Sequence, residues 1–161
     1  MSANASPGPR ALALWRQLSP LPFGRELFMF VFGNRVPYSG ALGARVTSLE
    51  PGHVVMTLRD RRGVRNHLNS VHAIALANLG EMASGLAMAT ALPAGVRGIV
   101  TGLTITYGKK ARGVLTATSQ VSVPEVRSDL ELDVEAGIRD AAGDLVATVH
   151  VRWRLGLVPA A

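Results

Sequence analysis

Ala73-Ile74-Ala75-Leu76-Ala77-Asn78-Leu79-Gly80-Glu81-Met82-Ala83-Ser84-Gly85-Leu86-Ala87-Met88-Ala89-Thr90-Ala91-Leu92 is a run of twenty residues with a single charge, Glu81, and it stops at Pro93. Ala, Leu and Met dominate it, all strong helix formers. Apolar side chains occupy the whole circumference of such a helix, which places it inside a protein or a membrane. Its length of roughly 20 residues would suit a bilayer. Gly80, Gly85, Asn78 and Glu81 argue against a membrane span, an acidic residue costing about 2–3 kcal/mol at the bilayer centre. The period-two segments that follow need water on one side, so the run reads as the central helix of a globular core. A lone carboxylate there must be shifted in pKa, partnered or used. Glu81 is therefore the first candidate functional residue.

The chain has 161 residues, enough for one domain with one substantial core. Hydrophobic residues make up 48% and charged residues 17%, a globular balance rather than a disordered one. The absence of cysteine excludes disulfides, thiolate metal sites and cysteine nucleophiles together. Met1 to Arg10, built from Ser, Ala, Asn, Pro and Gly, reads as a disordered leader. No charged segment precedes an apolar stretch there, so export is not indicated and a cytoplasmic location is expected. Fifteen Arg and two Lys leave a net charge of +6. Such a surface attracts nucleic acid, acidic membranes or anionic metabolites, and charge alone does not choose among them.

Outward from the helix, two short helices are predicted at Leu12–Leu18 and Phe23–Val31, divided by Ser19-Pro20-Leu21-Pro22 and closed by Gly33 and Pro37. They form an N-terminal extension over residues 11–37 of a single domain covering 11–161. Ala44–Leu49 and Val54–Arg59 flank Glu50-Pro51-Gly52-His53, a hairpin signal. After Pro93 the period changes to two. Leu103, Ile105 and Tyr107 share one face; Leu115, Ala117, Ser119 and Val121 share the next. Leu130 to Ile138 and Ala147 to Leu155 repeat the pattern, with a turn at Asp140–Asp144. The expected architecture is α+β, a buried central helix wrapped by a curved antiparallel sheet of about six strands. A curved sheet covers only part of an all-apolar helix. A second copy of the chain covering the rest predicts a dimer.

This order of elements resembles the hot-dog fold, and local motifs sharpen the likeness. Asn66-His67-Leu68-Asn69-Ser70-Val71-His72-Ala73-Ile74, continuing to Glu81, is similar to the signature of PaaI-type acyl-CoA thioesterases. That family shows an Asn, a His-Gly-Gly six residues later and an acidic residue nine beyond the His; Asn66, His72 and Glu81 fall on those spacings. Leu103 to Tyr107 with Lys109 to Gly113, and Asp140 to Thr148, are similar as well. The resemblance covers roughly residues 40–156 and has no counterpart for the N-terminal forty. Two positions depart from it. The Gly-Gly is here Ala73-Ile74, which sets side chains beside the backbone donor, and the usual Asp is Glu81.

The resemblance implies hydrolysis of an acyl-CoA or carrier-bound thioester, without a cofactor or metal, in sites shared across a homodimer or dimer of dimers. The residues allow such a site. A helix starting near Ala73 leaves its first N–H groups unsatisfied at the positive dipole end, suited to a developing oxyanion. Glu81 lies eight residues on, roughly 12 Å along the axis, and cannot easily reach a carbonyl held at its own helix start. An antiparallel partner helix could bring its own Glu81 there, as general base or as nucleophile. In this reading Ala73 N–H binds the thioester oxygen, Asn66 orients the carbonyl or the water, and His72 orients the helix start. Partial burial is expected to raise the pKa of Glu81. Asn78 and Ser84, at i−3 and i+3 from Glu81, hold it or shape the pocket. The resemblance places Lys109, Lys110 and Arg112 near the phosphates of coenzyme A, which three cations in four residues suit. Two rival readings are a non-catalytic acyl-CoA-binding module and an acyl-CoA-responsive nucleic-acid regulator. The second lacks a convincing helix-turn-helix, so a nucleic-acid partner is not expected.

Overall fold

The computed structural model describes residues 7–158. Three helices lead the chain, α1 (Pro7–Leu18), α2 (Gly24–Arg35) and α3 (Pro37–Gly40). Strands β1 (Arg45–Glu50) and β2 (His53–Arg59) precede the long helix α4 (Ala73–Ala91). Then come β3 (Val96–Tyr107), β4 (Val114–Gln120), β5 (Leu130–Arg139) and β6 (Leu145–Leu157). The six strands form one antiparallel sheet in the order β1-β2-β4-β5-β6-β3.

The sheet sorts its residues by the period-two rule. On β2, Val54, Met56 and Leu58 are fully buried, and Leu115, Ala117, Ala136, Ile138, Val149, Val151 and Leu155 continue that inner face. Leu79, Met82, Ala83, Leu86 and Ala87 of α4 pack against it in one core. The outer face carries charged pairs, Arg152 with Asp133 across β6 and β5 at 2.8 Å and Arg154 with Asp129, just before β5, at 2.9 Å. Helix and sheet meet without a spacer at Gly80, where a Cβ would run into the Val149 side chain. At the far end of α4 the buried Thr90 hydroxyl accepts the Gly52 N–H at 3.0 Å and lies 3.2 Å from the Glu50 carbonyl, tying the helix to the β1–β2 turn.

Three expectations change. The leader expected at residues 1–10 is helical from Pro7, proline being well suited to the first turn of a helix; residues 1–6 lie outside the described residues. The strand expected to begin near Gly102 begins at Val96. Gly98 and Gly102 and a register shift between Val100 and Gly102 break the alternation that would have revealed it. Finally, the sheet does not cover α4 alone. Helix α1 lies on its other side, close enough that a Cβ on Gly8 would fall on the Ala89 carbonyl. The all-apolar circumference is therefore partly satisfied within one chain.

Candidate active site

The entry to α4 is built by a short closed loop. Arg65 and Val71 form an isolated antiparallel bridge, and between them Asn66 organises the turn. Its Oδ1 accepts the N–H groups of Leu68 at 2.9 Å and Ser70 at 3.3 Å, with the Ser70 hydroxyl at 3.2 Å. The Asn66 Nδ2 has no acceptor among the described residues and remains a free donor. His72 is the N-cap of α4: its Nδ1 accepts the Ile74 N–H at 3.1 Å. With Nδ1 as acceptor, Nε2 carries the ring proton of the neutral imidazole. That bond removes one donor from the helix start. The N–H groups of Ala73 and Ala75 find no acceptor among the described residues.

Around this helix start the structure gathers cations. Val71 N–H donates to Ala111 C=O at 2.8 Å, and Arg112 Nε donates to Asn69 C=O at 3.2 Å, which docks the Lys109–Gly113 loop on the Asn66 loop. Lys110 and Arg112 are exposed there. Lys109 is already engaged, its Nζ 2.7 Å from both Asp140 and Asp144, and these carboxylates hold its pKa above the ordinary value. Asp60 anchors the cluster. It lies 2.6 Å from Arg65 Nε and accepts the Gly113 N–H at 3.3 Å, and the Arg65 guanidinium holds its carboxyl below the usual range. The Tyr107 hydroxyl donates to Ala73 C=O at 3.1 Å and closes the cluster from β3. A shallow groove of about 280 Å³ runs from here along Tyr38, Leu42, Val64, His72, Ala75 and Asn78.

Glu81 stands apart, two turns down the helix. It is half-buried, and burial pushes its carboxyl above the ordinary glutamate pKa. No hydrogen bond or ion pair to it is formed by any described residue, Asn78 and Ser84 included. Gly85, one turn on, leaves space in which Glu81 Oε1 and the Trp153 ring both lie 3.9 Å or less from where a Cβ would stand. Trp153 is fixed in turn, its Nε1–H donating to Ser84 Oγ at 2.8 Å. Ser84 has no exposed surface, so it bears on the site through Trp153. Val100, opposite Trp153 on β3, is half-buried, while Thr101 faces outward at the register shift.

Thus one chain brings together Asn66, His72, Ala73, Lys110 and Arg112, and holds Glu81 elsewhere on the same helix. Asp60, Tyr107 and Trp153 were not singled out from the sequence as site residues. Trp153 had a signal, its phase with Val149 and Val151 on the inner face. A larger cavity of about 530 Å³ lies between the start of β3 and the end of β6, lined by Arg97, Asp129 and Arg154. None of the candidate residues reaches it, and Arg154 is bonded to Asp129 there. Among the described residues no group of His, Asp and Glu is placed to hold a metal ion, and no helix is long and apolar enough to cross a membrane.

A family model described as a domain of unknown function, DUF4442, matches residues 24–155. The chain belongs to that family. No curated protein is a significant match by sequence. Among solved structures, a structural-genomics protein with no stated function or organism is 28% identical, covering 92% of this chain and 97% of its own, with a TM-score of 0.81. A Pseudomonas aeruginosa protein described as "Probable Thioesterase" is 24% identical, covering 86% and 97%, with a TM-score of 0.74. A mutant of a thioesterase enzyme from Staphylococcus aureus is 17% identical, covering 74% and 98%, with a TM-score of 0.64. The architecture this DUF4442 member shares with them is the hot-dog fold, and at such identities the last two establish fold alone.

Proposed function

We propose that this protein hydrolyses an acyl thioester, of coenzyme A or a carrier, with Glu81 as the reacting carboxylate. One observation carries the reading. Glu81 is a half-buried carboxylate without a partner among the described residues, on the helix whose N-terminus offers two N–H donors free of any described acceptor. A structural carboxylate at that depth should be bonded; a base poised for use should have its pKa raised by burial. The thioesterase-named neighbours support the same chemistry.

In the mechanism the thioester carbonyl oxygen sits on Ala73 N–H at the positive end of α4. Glu81 takes a proton from water as its oxygen attacks the carbonyl carbon. The resulting oxyanion is held by Ala73 N–H, with Asn66 Nδ2 as a second donor to the carbonyl or the water. Collapse breaks the carbon–sulfur bond, and the proton on Glu81 passes to the leaving thiolate. Attack by Glu81 itself, giving an anhydride that water then opens, balances equally well. Lys110 and Arg112 bind the polyphosphate of the leaving group, while Lys109, held by Asp140 and Asp144, fixes their loop. Asn78 contributes to the acyl groove.

The donor and the base come from two copies, because eight residues of helix separate Ala73 from Glu81 by roughly 12 Å. Strand β3 is the proposed contact. Among the described residues it is an uncovered edge of twelve residues with one charge, Arg97, and it exposes Ile99 at 65%, Leu103 at 39% and Tyr107 at 45%. Natural proteins seldom leave so long and apolar an edge unpaired.

Ile74 favours a second reading, a binding module without turnover. Its side chain is 58% exposed beside Ala73, where the resembled family has glycine. Thiol release from short, medium, long and aryl acyl-CoAs separates the two. Turnover by the wild type that falls by about 10²–10⁴-fold in Glu81→Ala is expected for a general base. Acyl-CoA binding with no thiol released by the wild type would select the module, and equal turnover by the variant would remove Glu81 from the chemistry.

A further inference from the structure

The N-terminal layer carries an apolar face that no described residue covers. Helix α2 buries Gly24 and Phe28 toward the body of the protein. Phe23, Leu27 and Phe30, spaced i, i+4 and i+7, form a second stripe on the opposite side, exposed by 82%, 49% and 67%. Leu21, in the Pro20–Pro22 turn leading into it, is 55% exposed, and Tyr38 beyond α2 is 73% exposed. Phe23 also holds a left-handed backbone, φ 59°, which is strained for a bulky aromatic. In return for that strain the Phe23 side chain gains little burial among the described residues. Contiguous exposed apolar side chains of this kind mark an interaction surface.

Charge says what covers it. Residues 7–49 contain five arginines, Arg10, Arg16, Arg25, Arg35 and Arg45, and one acid, Glu26. Arg45 lies 3.3 Å from Glu26 and neutralises it. Arg10, Arg16 and Arg35 make no ion pair among the described residues, and Arg25 stacks over the Trp15 ring at 5.9 Å. A second copy docked through the same layer would bring together two layers that are both rich in arginine and poor in acids, a like-charge cost. A nucleic acid would answer the charge and leave the Phe23–Phe30 stripe in water. An anionic bilayer answers both, taking the aromatic stripe at the acyl boundary and the guanidinium groups at the lipid phosphates.

We propose that the α1–α2 layer is a peripheral docking surface for anionic lipid membranes, inserted through Leu21, Phe23, Leu27 and Phe30. This goes beyond thioester hydrolysis and does not depend on it. It places the protein at the surface where long-chain acyl groups partition.

The test is flotation of the full chain with two kinds of vesicle, phosphatidylcholine alone and phosphatidylcholine containing phosphatidylserine. Wild type is expected to float with the second and not the first, and to be released by raised salt. Leu27→Glu/Phe30→Glu changes two exposed side chains and should leave the circular dichroism spectrum unchanged, while partitioning at least about a hundredfold less. Wild type that stays unbound to phosphatidylserine vesicles overturns the proposal, as does equal flotation of the double variant. An oligomer of the wild type that the double variant dissolves would overturn it too, making the stripe a protein interface.

Discussion

At Glu81 two opposing effects meet. Burial disfavours its charged form, so the folded state binds the carboxyl proton more tightly than the unfolded chain does. Stability contributed by this group therefore falls as pH rises from the ordinary glutamate range toward the raised value, and the cost stays at its full size above that. Glu81→Gln keeps the shape and removes the charge. The variant should melt at a higher temperature than wild type at pH 8, and the gap should close as pH is lowered through about 4. Its thiol release should be lost over the same range where its stability is improved. Thermal melts at several pH values decide the matter: a variant less stable than wild type at pH 8 would mean that the carboxylate has a stabilising partner. The partial burial of Glu81 and its raised pKa were legible from sequence because a lone charge stands out in an apolar run. Asp60 was not, since it sits among Arg59, Arg61 and Arg62 and reads as one more loop charge until Arg65 and Gly113 are seen to converge on it.

Among the elements, α4 bears the two glycines that set its distance from the sheet, and they should respond in opposite directions. Replacing glycine inside a helix by alanine is worth about 1 kcal/mol from propensity alone. At Gly85 a Cβ would stand 3.8 Å from Trp153, an ordinary contact, so Gly85→Ala should keep most of that gain. At Gly80 the new methyl meets fully buried Val149, and overpacking of about 1–3 kcal/mol exceeds the gain. Urea unfolding of both variants should show Gly85→Ala at a higher midpoint than wild type and Gly80→Ala at a lower one. Two stable variants would mean that α4 can lift off β6 freely. The helix itself was readable almost to its ends, Ala73–Leu92 expected and Ala73–Ala91 found, because His72 caps it and Pro93 stops it. Strand β3 was half-read, its period erased by Gly98, Gly102 and the register shift. Local signals of that sort cannot show that Trp153 meets Ser84 across 69 residues of chain, nor that Lys109 is claimed by Asp140 and Asp144.

For the whole molecule, the proposed mechanism draws donor and base from two chains. With α1 over one side of α4, the need for a partner rests on the unpaired β3 edge and on the helical distance between Ala73 and Glu81. Complementation reads this directly. Two tagged chains, one Glu81→Ala and one Asn66→Ala, are co-expressed and the mixed dimer is isolated through both tags. If each site takes Glu81 from one copy and the Asn66 loop from the other, one site has both lesions and the other has neither. The mixed dimer should then release thiol at about half the wild-type rate, since a two-fold dimer has two equivalent sites. Should both residues act within one chain, every site of the mixed dimer carries a lesion and the preparation stays as inactive as its parents. Failure to recover any mixed dimer, with each chain running as a monomer, would remove the shared site altogether. Activity near one half would instead tie catalysis to assembly, so that charge placed on the β3 edge at Ile99 should abolish turnover by separating the copies while leaving each one folded.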